Sequence, residues 1–201
     1  MADGQRRVWR PDWPVSVLGA TGDLRRGPGD PTFRVYGDDV WRGIRSPDGP
    51  VTHADIIAQV RAAGARIQLI MDGDVAAAIH AAMEQYDATD VYIGTGGAPE
   101  AVLAAAALKC VGGQMLCRIW PRTDDERDKL QSDGVDLKRI YTVDDLVRGE
   151  NVSFAATGIT TGDLLRGVRF APDGARTHSV MMRAKTGTIR YIEAIHNWKR
   201  V

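Results

Sequence analysis

Residues 90–110, DVYIGTGGAPEAVLAAAALKC, pass from a short apolar segment through a glycine loop straight into an alanine-rich segment. Pro99 suits the first turn of a helix, where its missing N–H removes no intrahelical bond. The order predicts a buried strand, a tight loop and a helix. The same order recurs upstream. THADIIAQVRAAG opens on a Thr52–Asp55 capping pattern, closes on Gly64, and sets Ile56, Ile57, Val60 and Ala63 on one helical face. ARIQLIMDG alternates Ile67, Leu69 and Met71 before a turn, as a strand does. DVAAAIHAAMEQY spaces Val75, Ile79, Met83 and Tyr86 as a helix does. Strand–helix–strand–helix order predicts a layered α/β domain with a largely parallel or mixed sheet.

Downstream, TDDERDKLQSDG begins on a Thr123–Glu126 capping box and reads as a polar surface helix. RIYTVDDLVRG gives a strand end and a short helix, and NVSFAATG a strand entering a glycine loop. THSVMMRA and GTIRYIEAIHN read as two closing strands, the second with Ile189, Tyr191 and Ile195 as its apolar positions. The first fifty residues have another character. They hold six of the nine prolines and three of the five tryptophans, and they contain no lysine or glutamate. Stretches such as RRGPGDPTFRVYGDD carry no useful periodicity, so this segment is expected to hold turns, short extended pieces and linker.

Lysine plus arginine and aspartate plus glutamate are both 26, giving a formal net charge of zero. That balance argues against a nucleic-acid or anionic-membrane partner. Cys110 and Cys117 have no CxxC partner and no nearby histidine, which argues against a disulfide scaffold or structural zinc and fits a reducing compartment. No run reaches the roughly 18 apolar residues of a membrane span, and the N-terminus lacks the apolar core of a secretory signal. A soluble, cytoplasmic protein is expected.

Open α/β sheets bind ligands beyond the C-terminal ends of their strands. Three loops are candidates: Asp72–Gly73–Asp74, the stretch from Gly94 to Glu100, and the loop around Thr157, Gly158 and Asp163. All three would share one edge if their strands run parallel. Asp74 either caps a helix or meets a ligand. Glu100, the only charge in its helix before Lys109, either complements the helix dipole or ligates a metal where a phosphate also reaches helix N–H groups. His80 is expected at the surface. His178 and His196 lie in strands with no nucleophile or ligand spacing, which favours packing, and Met71, Met181 and Met182 suit core filling. GATGDL, residues 19–24, matches only part of a dinucleotide fingerprint and has no supporting acid after a second strand.

MDGDVAAAI, IGTGGAPEAVLAAAALKCVGG, LVRGENVSFAATGITTGDLLRGVRF and TIRYIEAIH follow one another in this order. Together they resemble the C-terminal half of a class II fructose-1,6-bisphosphatase of the bacterial type, over about residues 53–198. The resemblance implies a layered α/β fold like that of the lithium-sensitive inositol and sugar phosphatases. It implies metal-dependent hydrolysis of the 1-phosphate of fructose 1,6-bisphosphate to fructose 6-phosphate and phosphate, a step of gluconeogenesis, with Mn2+ or Mg2+ as cofactor. Some members also act on sedoheptulose 1,7-bisphosphate. Carried over by motif, Asp72, Gly73, Asp74 and Gly97 contact substrate, and Glu100 binds metal.

Two departures qualify the match. The family's acidic segments, GEGEIDE-like and DP-x-EGT-like, have no counterpart here. The basic-Pro-Arg triplet that usually precedes His53 is replaced by Pro50, Val51 and Thr52. The chain therefore divides into a leader unlike the family, residues 1–51, and a family C-terminal domain, residues 52–201. An incomplete enzyme is expected, with a non-catalytic chain that binds a sugar phosphate or pairs with an intact subunit as the alternative. The partner implied is a sugar bisphosphate, and self-association into a homo-oligomer is compatible with the sequence.

Overall fold

The computed structural model of the chain describes residues 19–21, 32–36, 45–46, 49–50, 53–62, 66–70, 73–83, 89, 91–94, 97–119, 121 and 123–200. Strands β1 (Gly19–Thr21), β2 (Thr32–Tyr36), β3 (Arg45–Ser46) and β4 (Gly49–Pro50) precede helix α1 (His53–Ala62). There follow β5 (Arg66–Ile70), α2 (Asp74–Ala82), β6 (Val91–Ile93), α3 (Ala98–Val111), β7 (Gln114–Cys117) and α4 (Asp124–Ser132). The chain continues through β8 (Tyr141–Thr142), α5 (Val143–Leu146), β9 (Ser153–Thr157), β10 (Arg169–Ala171), β11 (Gly174–Arg183) and β12 (Thr188–Asn197).

Six strands form a mixed sheet in the order β5-β2-β6-β1-β7-β8. β2 is parallel to both β5 and β6, with Val35 level with Leu69 on one side and Ile93 on the other. β1 runs antiparallel to β6 and β7, and β8 antiparallel to β7. So β5, β2, β6 and β7 point one way. A second sheet is wholly antiparallel. Its centre is β11, paired in full with β12 from Gly174↔Asn197 to Arg183↔Thr188, and with β9 and β10 on the other side.

α2 and α3 lie between the two sheets. Ala77, Ala78 and Ala81 of α2 and Ala104, Ala105 and Leu108 of α3 share a core with Tyr92 and Met115 of the six-stranded sheet. Ile79 of α2 and Ala107 and Cys110 of α3 share another with Phe154, Val180 and Met182 of the second sheet. A helix covered on two sides has little room for a polar face, and between their charged ends these two are almost wholly apolar. Lys109 ties the far end of α3 to α5. Its Nζ donates to Asp144 Oδ1 and to the Val147 carbonyl, both at 2.7 Å.

The layered α/β architecture expected from sequence is observed, with the sheet mixed rather than mainly parallel. α4 is the exposed polar helix expected, and Thr123 Oγ1 caps it by accepting from Glu126 N–H at 3.2 Å. Two expectations change. His80, read as a surface residue, is 3% exposed, because its helix is packed on both sides. Met181 faces away from the core, since its neighbours Val180 and Met182 take the inward positions and a strand alternates. Within the segment read as turns, short extended pieces and linker, the short strands β1 and β2 occupy interior places in the six-stranded sheet, a pairing the sequence did not indicate. Thr52, Met71 and Tyr86 lie outside the described residues. Among the described residues, no helix is long and apolar enough to cross a membrane.

Candidate active site

β5 and β6 flank β2 as parallel neighbours, so the loops leaving their C-terminal ends emerge on one edge of the sheet. α2 and α3 start from those loops. Two helix N-termini, each with unpaired N–H groups and the positive end of a dipole, therefore stand side by side.

Gly73 is the N-cap of α2, with φ 81° and ψ 40°, a left-handed conformation that a side chain would strain. Its carbonyl accepts the first helical bond, from Ala77 N–H at 2.9 Å. Asp74 is thus the first helical residue and not the cap. Its Oδ1 accepts from Val75 N–H at 2.9 Å. Burial raises the Asp74 pKa, the Val75 N–H partly offsets this, and the negative charge of Glu100 raises it further.

Gly97 is the N-cap of α3, and Pro99 sits in the first turn as expected. The Glu100 carboxylate folds back over its own cap, where its Oε2 takes the space a Cβ at position 97 would use. Glu100 is otherwise exposed to solvent. Gly73, Asp74, Gly97 and Glu100 thereby stand on one edge of the sheet, and the negative charge of Glu100 reaches Asp74. Asp72 lies outside the described residues.

The third candidate loop does not join them. β9 belongs to the antiparallel sheet, so the loop after it leaves a different set of strands. Sequence reasoning also passed over a cation. Arg118 follows β7 directly, and β7 runs in the same direction as β5 and β6, so residue 118 stands at the carboxylate edge. Arg118 is half-buried, and burial lowers its pKa, but an arginine stays charged. Its position after a strand is the signal that could have found it, had the direction of β7 been known.

A manganese or magnesium centre takes about six oxygen ligands. Asp74 and Glu100 are donors of the right kind. Among the described residues, however, no group of three His, Cys, Asp or Glu side chains is close enough to hold an ion. The described residues alone do not complete such a centre.

Residues 51–196 match the family described as bacterial fructose-1,6-bisphosphatase, glpX-encoded, and the chain belongs to that family. It is 39% identical over 159 residues to a protein of Synechococcus sp. (strain JA-3-3Ab) named D-fructose 1,6-bisphosphatase class 2/sedoheptulose 1,7-bisphosphatase. The alignment covers 72% of this chain and 45% of that relative. A protein of the same name from Trichodesmium erythraeum (strain IMS101) is 38% identical over 159 residues, with the same coverage. The chain spans about half the length of the curated relatives it matches.

Proposed function

We propose that this chain carries the substrate-facing edge of a sugar bisphosphatase that hydrolyses the 1-phosphate of fructose 1,6-bisphosphate. One observation carries the reading: Asp74 and Glu100 lie in the first turns of two helices that start from the same edge of the sheet. N–H groups there favour a phosphate, whereas two carboxylates repel one. A cation between them reconciles the two demands. In this reading the cation is Mn2+ or Mg2+, held by Glu100 with Asp74 at its side and by further oxygens beyond the described residues. When bound, such an ion neutralises phosphate oxygens.

The chain's own residues then have separate tasks. The amides of the first turns of α2 and α3 orient the phosphate. Gly73 and Gly97 let it approach the backbone, which a side chain would block. Arg118 adds a fixed positive charge on the same edge. The names of the Synechococcus and Trichodesmium relatives support a bisphosphate of either fructose or sedoheptulose as substrate.

The alternative, a chain that binds a sugar phosphate without turning it over, rests on the lack of a third donor among the described residues. One experiment separates them. Phosphate release from fructose 1,6-bisphosphate is measured with Mn2+ for the purified chain, beside calorimetric binding of the same sugar. Release abolished by Glu100→Gln supports the enzyme. Binding without release supports the alternative, and neither binding nor release would overturn both.

A further inference from the structure

The loop after β9, residues 158–168, lies over the antiparallel sheet and assembles a different set of charges. It is a stiff loop. Gly158 N–H donates to the His178 carbonyl at 3.0 Å, Gly162 N–H to the Leu165 carbonyl at 3.0 Å, and Val168 N–H to the Ile159 carbonyl at 3.1 Å. Leu165 is buried beneath it. A Cβ at Gly158 would strike the Arg166 carbonyl, so the backbone of Arg166 is fixed from that side. From the other, Arg166 N–H donates to His178 Nδ1 at 3.1 Å. The Arg166 guanidinium lies 3.6 Å from Glu193 Oε2, and the His178 ring stacks on Tyr191 with centroids 5.9 Å apart.

Arg176 precedes His178 by two residues on β11 and shares its face of the sheet. Directly opposite Arg176 on β10 is Arg169, and opposite it on β12 is the exposed Ile195. Three arginines thus gather on one face. Among the described residues, neither Arg169 nor Arg176 has an ion pair or hydrogen bond from its side chain. Like charges directly opposite in an antiparallel pair destabilise the sheet. The pair costs stability in a chain whose overall charge is zero.

We propose that Arg166, Arg169 and Arg176 form a binding site for a small phosphorylated solute, built on β10, β11 and the 158–168 loop. None of its residues belongs to α2 or α3, and it does not depend on the activity proposed above. Guanidinium forks match phosphate oxygens two at a time. The loop fixes the backbone of Arg166, and Arg169 and Arg176 stand on paired strands, so the three anchor points are set before binding. Three arginines bounded by Glu193 and Ile195 suit a small anion better than a nucleic acid, whose affinity comes from many phosphate contacts.

The test titrates the purified 201-residue chain with pyrophosphate in the presence of a chelator, followed by amide resonances. Shifts are expected at residues 166–178 and 191–196. Arg169→Gln with Arg176→Gln should weaken binding about tenfold or more, the scale of losing one charged hydrogen-bonded contact. The same variant should melt no lower than the parent, because it removes a repulsion. Unchanged affinity in the double variant overturns the proposal. So do shifts confined to residues 73–77 and 97–101, which would assign the anion to the helix N-termini. Tighter binding of a single-stranded oligonucleotide through the same arginines also overturns it, in favour of a nucleic-acid surface.

Discussion

Asp74 and Glu100 carry opposite demands at the residue scale: each suits a helix N-terminus alone, and the charge of Glu100 raises the cost of ionising Asp74. A carboxyl whose native pKa lies above its unfolded value holds its proton more tightly when folded. Stability then falls as pH rises through the interval above the ordinary value near 3.8, and is recovered below it. In chelated solution, the Asp74 titration followed by carboxyl resonances should have its midpoint above 3.8. Glu100→Gln should lower that midpoint, and an unmoved midpoint would mean the charge of Glu100 does not reach Asp74. Gly73→Ala should destabilise the chain by about 1–2 kcal/mol in urea, the cost of a left-handed backbone for an L-residue. Cys117 makes a third test. Burial, with Asp145 adding to it, pushes its thiol up to about 11. Since the thiolate is the reactive form, it should resist alkylation at pH 8 until the chain is unfolded. Much of this edge was legible in the sequence, because Gly73, Asp74, Gly97 and Glu100 are local signals of loop and helix start. Their place on one edge was not, since it depends on β2 pairing with both β5 and β6, a contact between segments far apart in the chain.

Elements explain which readings succeeded. α3 and α4 were legible because proline, glycine and a Thr–x–x–Glu box announce helix ends through backbone chemistry that acts locally. The burial of His80 was illegible for a physical reason. The search for one apolar face assumes one partner layer, and α2 has two. β2 escaped notice because TFRVY is only five residues long, between Pro31 and Gly37, too short for periodicity to declare itself. The alanines of α2 and α3 carry a prediction at this scale. Ala78 and Ala105 are fully buried where both helices meet the six-stranded sheet. Ala105→Leu should cost about 1–3 kcal/mol by overpacking, read from chemical denaturation, while Val102→Leu on the exposed side of α3 should cost almost nothing. Equal costs would mean that α3 is not enclosed.

For the whole molecule, the consequence of a shared middle layer is cooperativity. Among the described residues, the same two helices serve both sheets: Ile79 and Ala107 pack on one, Ala78 and Ala105 on the other. Loss of packing in the antiparallel sheet must therefore loosen α2 and α3, and through them the strands that aim Asp74 and Glu100. Phe154 is the place to apply the load, because it is buried against the helix side of β9 and lies on a different sheet from the carboxylate edge. Phe154→Ala should cost about 3–5 kcal/mol, the price of a large buried aromatic and the cavity it leaves. Under native-state hydrogen exchange, the amides of β11 should lose protection. If the two cores unfold as one unit, the amides of β6 and β7 should lose protection by the same free energy, although Phe154 touches neither strand. Loss confined to β9, β11 and β12 would instead divide the molecule into two independent layers. The carboxylate edge would then owe its geometry to the six-stranded sheet alone.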